Sequence, residues 1–250
     1  MRVAAKRPFG MVPGVPTPSP RPVDAVLLDF HGTLATIEPI ERRISLAASA
    51  CGVLLDIPHL MRLANAARAA GLADGFHCPP TVSPEVSRAW ERRDLSGTAH
   101  RTAFVGVTDT LDTGIPGLSE AMYERMLDPD GWVAYADTVP ALQALRDRGV
   151  PVALVSNIGF DMRPIAKSLG FADLIDTWVL SYEVGVRKPE PAIFRHACAQ
   201  LGVVPSRALM VGDTVADAGA ADAGCSVLVL PPSTPGGLHG LGAVPRLAGA

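Results

Sequence analysis

The stretch AVLLDFHGTLA, residues 25–35, decides the fold of this chain. Its first half is a short apolar run of the kind that forms a buried strand. The run meets a carboxylate at Asp29 and continues into His31, Gly32 and Thr33. In open parallel sheets, ligands bind just beyond the carboxyl ends of the strands. The stretch therefore predicts a chemical site at Asp29 and raises the question of what His31 does there.

Composition describes a globular protein with few strong biases. The 250 residues are 48% hydrophobic and 19% charged, with a net charge of −3, so a sizeable core is expected. The 22 Lys and Arg residues form no dense run, which predicts no nucleic-acid partner. No apolar run reaches the ~18 residues of a membrane span. The four cysteines lack metal-like spacing, so we expect reduced thiols and a cytoplasmic location.

Strand and helix patterns alternate along most of the chain. Five short apolar runs predict strands at residues 25–30, 150–157, 177–183, 208–214 and 226–231. An amphipathic helix closed by Gly149 precedes the second run, and further helices are predicted at 160–170, 189–201 and 215–223. This alternation predicts an α/β fold, a doubly wound, Rossmann-like parallel sheet covered by helices on both faces.

Three segments depart from that alternation. Residues 36–135 contain helical patterns but no convincing strand, and we interpret them as an all-α helical cap inserted into the core. The core then consists of residues 23–35 and 136–231. Residues 1–22 carry six prolines and predict a disordered arm. Residues 232–250 are rich in Gly and Pro and predict a loop or loose tail.

Polar residues collect at the predicted strand ends. Carboxylates follow the first and fourth of these strands, at Asp29, Asp213 and Asp217, and they are the hard oxygen ligands that suit Mg²⁺. Ser156 ends the second strand, and Lys188 follows the third. A hydroxyl and an ammonium bind phosphate oxygens, while a carboxylate can attack phosphorus as a covalent nucleophile. The set predicts Mg²⁺-dependent chemistry on a phosphorylated substrate.

Four motifs in this order resemble the haloacid dehalogenase-like hydrolase superfamily, specifically members with a helical cap inserted after the first motif. DFHGT at Asp29 corresponds to D-x-D-G-T, and VALVSN ends in the expected hydroxyl of Ser156. GVRKPEP supplies the lysine, Lys188, and VGDTVAD matches G-D-x-x-x-D with Asp213 and Asp217. The resemblance covers residues 24–231, with the cap matched in helical character only.

The resemblance implies a role for each matched residue. Asp29 is the implied nucleophile and a Mg²⁺ ligand, and the backbone carbonyl of His31 is the implied second ligand. Asp213 is implied to bind the metal directly, and Asp217 directly or through water and Lys188. The implied phosphate-binding residues are Thr33, Ser156, Asn157 and Lys188. The implied substrate is a small phosphorylated molecule; nothing in the cap sequence names it, and the oligomeric state is not predicted.

His31 departs from the family pattern, in which phosphatases carry a general acid/base Asp at this position. An unperturbed imidazole titrates at about 6.5, so it can transfer protons near neutral pH. One hypothesis is that His31 replaces the Asp and the chain is a phosphatase. A second is dehalogenase-type hydrolysis, which the metal-ready Asp213 and Asp217 argue against. A third is a phospho-ligand-binding or protein-binding member with little turnover.

The cap sequence offers few candidates for substrate contact. Residues 71–80 and 100–114 are polar and predict loops, which could bring His77, Arg101 or Asp109 near a leaving group. Ordinary surface is the simpler interpretation for each, because loops are polar in general.

Overall fold

A computed structural model describes residues 23–73 and 81–248 of the chain. The predicted arm at 1–22 and His77 lie outside the described residues. The described residues contain seven strands: β1 Ala25–Leu28, β2 Ala35–Ile37, β3 Trp132–Ala134, β4 Val152–Ser156, β5 Thr177–Leu180, β6 Ala208–Gly212 and β7 Ser226–Val229.

The main sheet has five parallel strands in the order β5-β4-β1-β6-β7. Strand β1 lies in the middle, with Val26 paired to Val152 on one side and to Leu209 on the other. Chain connections run outward from β1 in both directions, which is the doubly wound arrangement. The predicted α/β, Rossmann-like fold is confirmed.

Period-two alternation divides the strands between two cores. Val26 and Leu28 of β1 point into one apolar cluster, while Leu27 points into the other. A strand buried on both faces has no polar position to spare, which explains why the run reads as continuously apolar. The first polar group that the chain can place is therefore at the strand end, where Asp29 lies.

In the described part of the interval between β2 and β3, five helices form a separate apolar core, built around Ile44, Leu63 and Trp90. They are α1 Ile40–Ala50, α2 Ile57–Ala69, α3 Pro84–Arg92, α4 Gly97–Asp109 and α5 Leu118–Leu127. We call this helical insertion the cap. Helix α4 corrects the prediction of a loop at 100–114: its Gly, Thr and Val residues are weak helix formers, but its buried stripe packs in the cap core.

Two short strands correct the expectation that residues 36–135 contain none. Strands β2 and β3 pair antiparallel, with Thr36 opposite Val133. Strand β2 lies where the chain leaves the core for the helical insertion, and β3 lies where it returns. Their pairing joins the two connections between the core and the insertion. Three-residue strands give too short an alternation to be recognised in the sequence.

The core helices cover both faces of the main sheet. They are α6 Thr138–Asp147, α7 Arg163–Ser168, α8 Ser181–Val184, α9 Pro191–Gln200, α10 Val215–Ala218, α11 Ala220–Ala223 and α12 Val244–Leu247. The strand predicted at 177–183 ends at Leu180, because helix α8 begins at Ser181. The predicted helix 215–223 is two short helices that meet at Gly219, where a β-carbon would lie 2.5 Å from Pro189.

Residues 232–240 form a loop, which is one of the two predicted alternatives, and the turns that follow at 241–247 pack on the core, which corrects the loose-tail alternative. Leu241 and Val244 are each 1% exposed and belong to the same apolar cluster as β1. The carboxylate of Asp137 accepts hydrogen bonds from the backbone N–H groups of His239 and Gly240, both at 2.9 Å. These contacts anchor the tail beside the entry to α6.

The cap rests on the carboxyl edge of the sheet through polar contacts. Ser181 donates a hydrogen bond to the carbonyl of Asp94, and Arg187 donates to the carbonyl of Glu91 at 2.8 Å. A β-carbon on Gly159 would lie 2.4 Å from the carbonyl oxygen of Arg93, so this glycine permits the close approach. Within residues 23–73 and 81–248, every helix is too short or too polar to cross a membrane.

Candidate active site

A cavity of about 320 Å³ lies between the cap and the carboxyl edge of the main sheet. Six of the predicted site residues line it: Asp29, His31, Ser156, Asn157, Lys188 and Asp213. Thr33 and Asp217 are fully buried behind this wall. The structure therefore brings together residues that lie up to 188 positions apart along the sequence.

Lys188 connects two of the carboxylates. Its Nζ lies 2.7 Å from Oδ1 of Asp29 and 2.6 Å from Oδ1 of Asp217. All three side chains are less than one-tenth exposed. The ammonium thus holds the Asp29 carboxylate in place at the edge of the cavity.

Asp217 has a structural role as well as an electrostatic one. Its Oδ2 accepts hydrogen bonds from the backbone N–H of Thr214 at 3.0 Å and from the Thr214 hydroxyl at 2.6 Å, which caps the short helix α10. Its Oδ1 is taken by Lys188. Each oxygen of Asp217 therefore already has at least one donor from the protein.

Asp213 lies closer to the cavity than Asp217 does. Its Oδ1 accepts a hydrogen bond of 3.4 Å from the Thr33 hydroxyl. Ligand oxygens of Asp29, Asp213 and Asp217 all lie within 4.8 Å of one another. Gly32 passes so close to Asp213 that a side chain there would displace the carboxylate.

Three carboxylates around one ammonium leave an excess of negative charge. Burial raises the pKa of Asp29 to about 7, and the charges of Asp217 and Asp213 add to this rise while Lys188 opposes it. Burial and Asp217 also raise the pKa of Asp213. For Lys188 the two neighbouring carboxylates outweigh burial and raise the pKa, so it stays charged. A further cation would relieve the repulsion among the carboxylates.

Asn157 orders the loop that carries Lys188. Its Nδ2 donates to the carbonyl of Lys188 at 2.8 Å, and its Oδ1 accepts from the backbone N–H of Lys188 at 2.7 Å. Two reciprocal bonds join the end of β4 to the lysine loop. Ser156, the last residue of β4, is 3% exposed and lines the cavity beside them.

His31 lies on the cavity wall at the base of the cap. Its ring packs edge-on against Trp132, with ring centroids 5.5 Å apart and an interplanar angle of 86°. Its backbone forms an isolated bridge with Ala35. The imidazole is therefore in contact with the aromatic residue that begins β3.

Cap residues that the sequence analysis did not single out form the opposite wall. Arg43 of α1 is 4% exposed and donates through Nη2 to the carbonyl of Leu72 at 2.5 Å. Its Nε is buried without a hydrogen-bond partner. The sequence carries one signal for it, since Arg43 interrupts the apolar stripe of Ile40, Ile44 and Ala47.

Arg93 and Asp94 follow α3 and also line the cavity. Nε of Arg93 lies 3.7 Å from Oδ1 of Asp94, and its guanidinium stacks over Trp90 at 4.6 Å. Burial raises the pKa of Asp94, with Arg93 acting against it. These two charges therefore compensate each other.

His100 is a buried, neutral member of the cap wall. Burial lowers its pKa to about 3, and the charge of Arg93 contributes. Its Nδ1 lies 3.1 Å from the Tyr123 hydroxyl, and its ring packs against Phe160. Arg101 and Asp109, the described candidates from the predicted loop, are exposed outside this cavity; Arg101 pairs with Glu120 and Glu124.

The carboxylate cluster fits a hard divalent cation. Carboxylate oxygens are the ligands that Mg²⁺ prefers, and it usually takes one or two of them. Both carboxylate oxygens of Asp217 accept hydrogen bonds from the protein. Asp29 and Asp213 are therefore the residues of this cluster whose carboxylates could coordinate the cation. The chemistry of the donor set therefore agrees with Mg²⁺.

A parallel sheet with buried carboxylates and a lysine at its carboxyl edge, beneath a cap, defines an α/β enzyme. Residues 23–224 match the haloacid dehalogenase-like hydrolase family. The chain belongs to this family of hydrolases, as its motifs indicate.

Named relatives include phosphatases and a dehalogenase. Haloacid dehalogenase-like hydrolase domain-containing protein 3 of Mus musculus is 31% identical over 52% of this chain, which spans about half of that protein (49%). A phosphoglycolate phosphatase of Thiobacillus denitrificans is 25% identical over 85% of both chains. (S)-2-haloacid dehalogenase 1 of a Pseudomonas species is 30% identical over 56% of this chain and 67% of its own length.

Solved structures share the fold. A HAD phosphatase from Thermococcus onnurineus matches with a TM-score of 0.52 and 25% identity, over 83% of this chain and 86% of that one.

Proposed function

We propose that this hydrolase is a Mg²⁺-dependent phosphatase that acts on a small phosphorylated metabolite through an aspartyl-phosphate on Asp29. One observation carries the proposal: Asp29 lies on the cavity wall, held by Lys188 and next to the carboxylate of Asp213. A nucleophile, a cation to bind phosphate and a pair of metal ligands are thus within reach of one small molecule.

The phosphate-binding side of the cavity consists of polar groups from three loops. The Lys188 ammonium and the Ser156 hydroxyl would donate to phosphate oxygens, and Asn157 would keep the lysine loop in register. Thr33 would act indirectly, through its bond to Asp213. Asp29, Asp213 and the backbone carbonyl of His31 would hold Mg²⁺, with Asp217 supporting them through Lys188. When bound, Mg²⁺ would neutralise part of the carboxylate and phosphate charge.

The reaction has two displacement steps. A carboxylate oxygen of Asp29 attacks phosphorus, and the bond to the ester oxygen breaks. The leaving alkoxide takes a proton from His31. In the second step His31 accepts a proton from water, whose oxygen attacks phosphorus and releases phosphate. The Asp29 carboxylate is thereby restored. The cap above the cavity excludes bulk water from both steps.

Assay of phosphate release from an aryl phosphate with Mg²⁺ tests this proposal. We expect turnover by the wild-type chain and its loss in Asp29→Asn. A panel of phosphorylated metabolites would then identify the substrate. If neither the wild type nor Asp29→Asn released phosphate from any of a broad panel of phosphate esters, the phosphatase assignment would be refuted.

Dehalogenation is the second candidate, since a 2-haloacid dehalogenase is among the relatives and His31 departs from the phosphatase motif. It predicts halide release from a 2-haloacid without added metal. The carboxylate of Asp213 beside Asp29 argues against it, because carbon–halogen displacement does not need a second anion there. A weakly active ligand-binding protein is the third candidate, and calorimetry with phosphate esters tests it.

A further inference from the structure

The loop that follows β1, residues 29–34, is held by the segment that begins α6. We call it the β1 loop. The Leu34 carbonyl accepts a hydrogen bond from the backbone N–H of Tyr135 at 3.2 Å and another from the Thr138 hydroxyl at 2.6 Å. Thr33, the residue before Leu34, belongs to the candidate active site. The position of the segment around Tyr135 therefore affects how the β1 loop presents its site residues.

The C-terminal tail binds to the same segment. The carboxylate of Asp137 accepts a hydrogen bond from the backbone N–H of His239 at 2.9 Å, and the N–H of Ala136 donates to the carbonyl of Gly237 at 2.9 Å. These tail residues lie beyond residues 23–224, the stretch that matches the hydrolase family. The family match therefore does not account for their contact with the segment that begins α6.

The side chain of His239 is buried against Tyr135. His239 is 4% exposed, and its ring stacks on the Tyr135 ring with centroids 4.2 Å apart and an interplanar angle of 11°. Among the described residues, neither ring nitrogen of His239 has a well-aligned hydrogen-bond partner. The ring is therefore held by packing on Tyr135, a contact that needs its flat shape more than its nitrogens.

Both stacked rings lie near the carboxylate cluster. Burial lowers the pKa of His239, while the charge of Asp137 and the backbone of Gly32 oppose this, so Gly32 lies beside the imidazole. Burial raises the pKa of Tyr135, and the charge of Asp213 adds to the rise. A β-carbon on Gly32 would lie 2.2 Å from Oδ2 of Asp213. The stack therefore packs against the part of the β1 loop that contacts a candidate metal ligand.

We propose that His239 is a positioning residue of the active site: its ring, stacked on Tyr135, holds the β1 loop in place against Asp213. Groups that hold a ligand carboxylate in place strengthen metal binding, because less freedom is lost when the ion binds. His239 is absent from the described residues that line the cavity, so it acts through the loop. The inference rests on the proposed function only for its effect on Mg²⁺ binding and turnover.

Hydrogen–deuterium exchange of the metal-free protein tests the positioning directly. The backbone N–H of Gly32 donates to the carbonyl of Ala35 at 2.8 Å, so loosening of the loop exposes it to exchange. We expect His239→Ala to speed exchange in residues 29–36 by about 10-fold, while the main sheet and the cap keep the wild-type rates. Leu238→Ala is the matched control, because the Leu238 side chain is 76% exposed. It should change exchange in the loop by less than about 2-fold.

A second variant at the same position tests the stack itself. His239→Phe keeps a flat ring on Tyr135 without the nitrogens, so exchange in the β1 loop should return to within about 3-fold of the wild-type rate. Thermal unfolding of every variant is measured first. If His239→Ala does not fold, Tyr135→Leu carries the test, since it removes the stack and keeps the backbone bond to Leu34. An unchanged β1 loop, or equally faster exchange throughout the protein, would overturn the inference.

Calorimetric titration with Mg²⁺ measures the consequence for the metal. We expect His239→Ala to weaken Mg²⁺ binding by about 10-fold and Leu238→Ala to leave it unchanged. In phosphatase assays, the Mg²⁺ concentration that gives half the maximal rate should rise by the same factor. Faster exchange in the β1 loop with unchanged Mg²⁺ affinity would overturn the inference.

These measurements separate the positioning role from the proposed activity. If His239→Ala loosens the loop and weakens Mg²⁺ binding but the wild type hydrolyses no ester, the phosphatase is refuted and the positioning role is kept. If the wild type binds no Mg²⁺, the Mg²⁺-dependent function fails and the exchange rates alone decide the role of His239. Turnover by the wild type, with normal exchange and normal Mg²⁺ dependence in His239→Ala, would keep the phosphatase and refute the positioning role.

Discussion

A methyl group added to the α-carbon of Gly32 would lie 2.2 Å from Oδ2 of Asp213, so the loops after β1 and β6 meet through bare backbone. Gly32 also has φ of 84°, a conformation that other residues adopt with strain. We predict that Gly32→Ala displaces Asp213 and lowers kcat/KM by about 100-fold. Steady-state kinetics with Mg²⁺ would measure the effect.

Gly52 provides the matched control for this substitution. It has φ of 79°, but a β-carbon there would meet nothing within 4 Å. Gly52→Ala should therefore cost about 1 kcal/mol of stability through backbone strain, with little change in kcat/KM. Similar kinetic losses in both variants would show that the effect at Gly32 is general destabilisation.

His31 packs against Trp132 on the cavity wall, where a proton donor would be needed. We predict that His31→Asn, which removes the titratable group, lowers kcat by about 100-fold or more. His31→Asp should retain more activity than His31→Asn, with an altered dependence of kcat on pH. Full activity in His31→Asn would mean that the imidazole is only a spacer. A large gain in His31→Asp would mean that the native site is attenuated.

His100 makes stability depend on pH in a calculable direction. Burial holds its folded pKa at about 3, below the value of 6.5 expected when unfolded. The contribution of neutral His100 to the free energy of unfolding is therefore complete above pH 6.5. It is lost as the pH falls, because the unfolded chain then binds a proton on this imidazole and the folded chain does not. Between pH 7 and 5 the loss should be about 2 kcal/mol.

Urea unfolding of the wild type and His100→Asn over this range measures the difference in slope. Tyr123→Phe, which removes the hydroxyl beside His100 but keeps the imidazole, should show the wild-type slope at lower stability. If His100→Asn also kept the wild-type slope, another group would be responsible.

The C-terminal segment contributes to the core through Leu241, which is 1% exposed. We predict that Leu241→Ala lowers the free energy of unfolding by about 2–4 kcal/mol. Leu247, six residues later, is 50% exposed, and Leu247→Ala should change stability by less than about 0.5 kcal/mol. Equal and small effects in urea unfolding would restore the loose-tail interpretation.

The sequence predicted those features that depend on local pattern. Buried parallel strands are apolar along their whole length, so each strand end is marked by its first polar residue, as at Asp29 and Asp213. The four motifs therefore located one edge of the sheet and led to the correct fold and family. That Lys188 contacts both Asp29 and Asp217 follows from the topology, since parallel strands end at the same edge.

Features that depend on docking could not be predicted in the same way. Arg43 meets the cavity only because the cap rests on the sheet through Ser181 and Arg187. Helix α4 owes its stability to burial in the cap core, which outweighs the weak helix propensity of its residues. The C-terminal tail shows no clear hydrophobic periodicity in its sequence. Its position in the fold depends on the hydrogen bonds to Asp137 and on the apolar cluster that contains Leu241.

We propose that Asp29 carries the phosphoryl group during turnover, and mass spectrometry of the quenched protein would detect this intermediate. The protein is mixed with an aryl phosphate and Mg²⁺, quenched in acid within a single turnover and digested. We predict a phosphorylated peptide that contains Asp29 in the wild type, and none in Asp29→Asn. Phosphate release by the wild type with an unmodified Asp29 peptide, or undiminished release by Asp29→Asn, would contradict the claim.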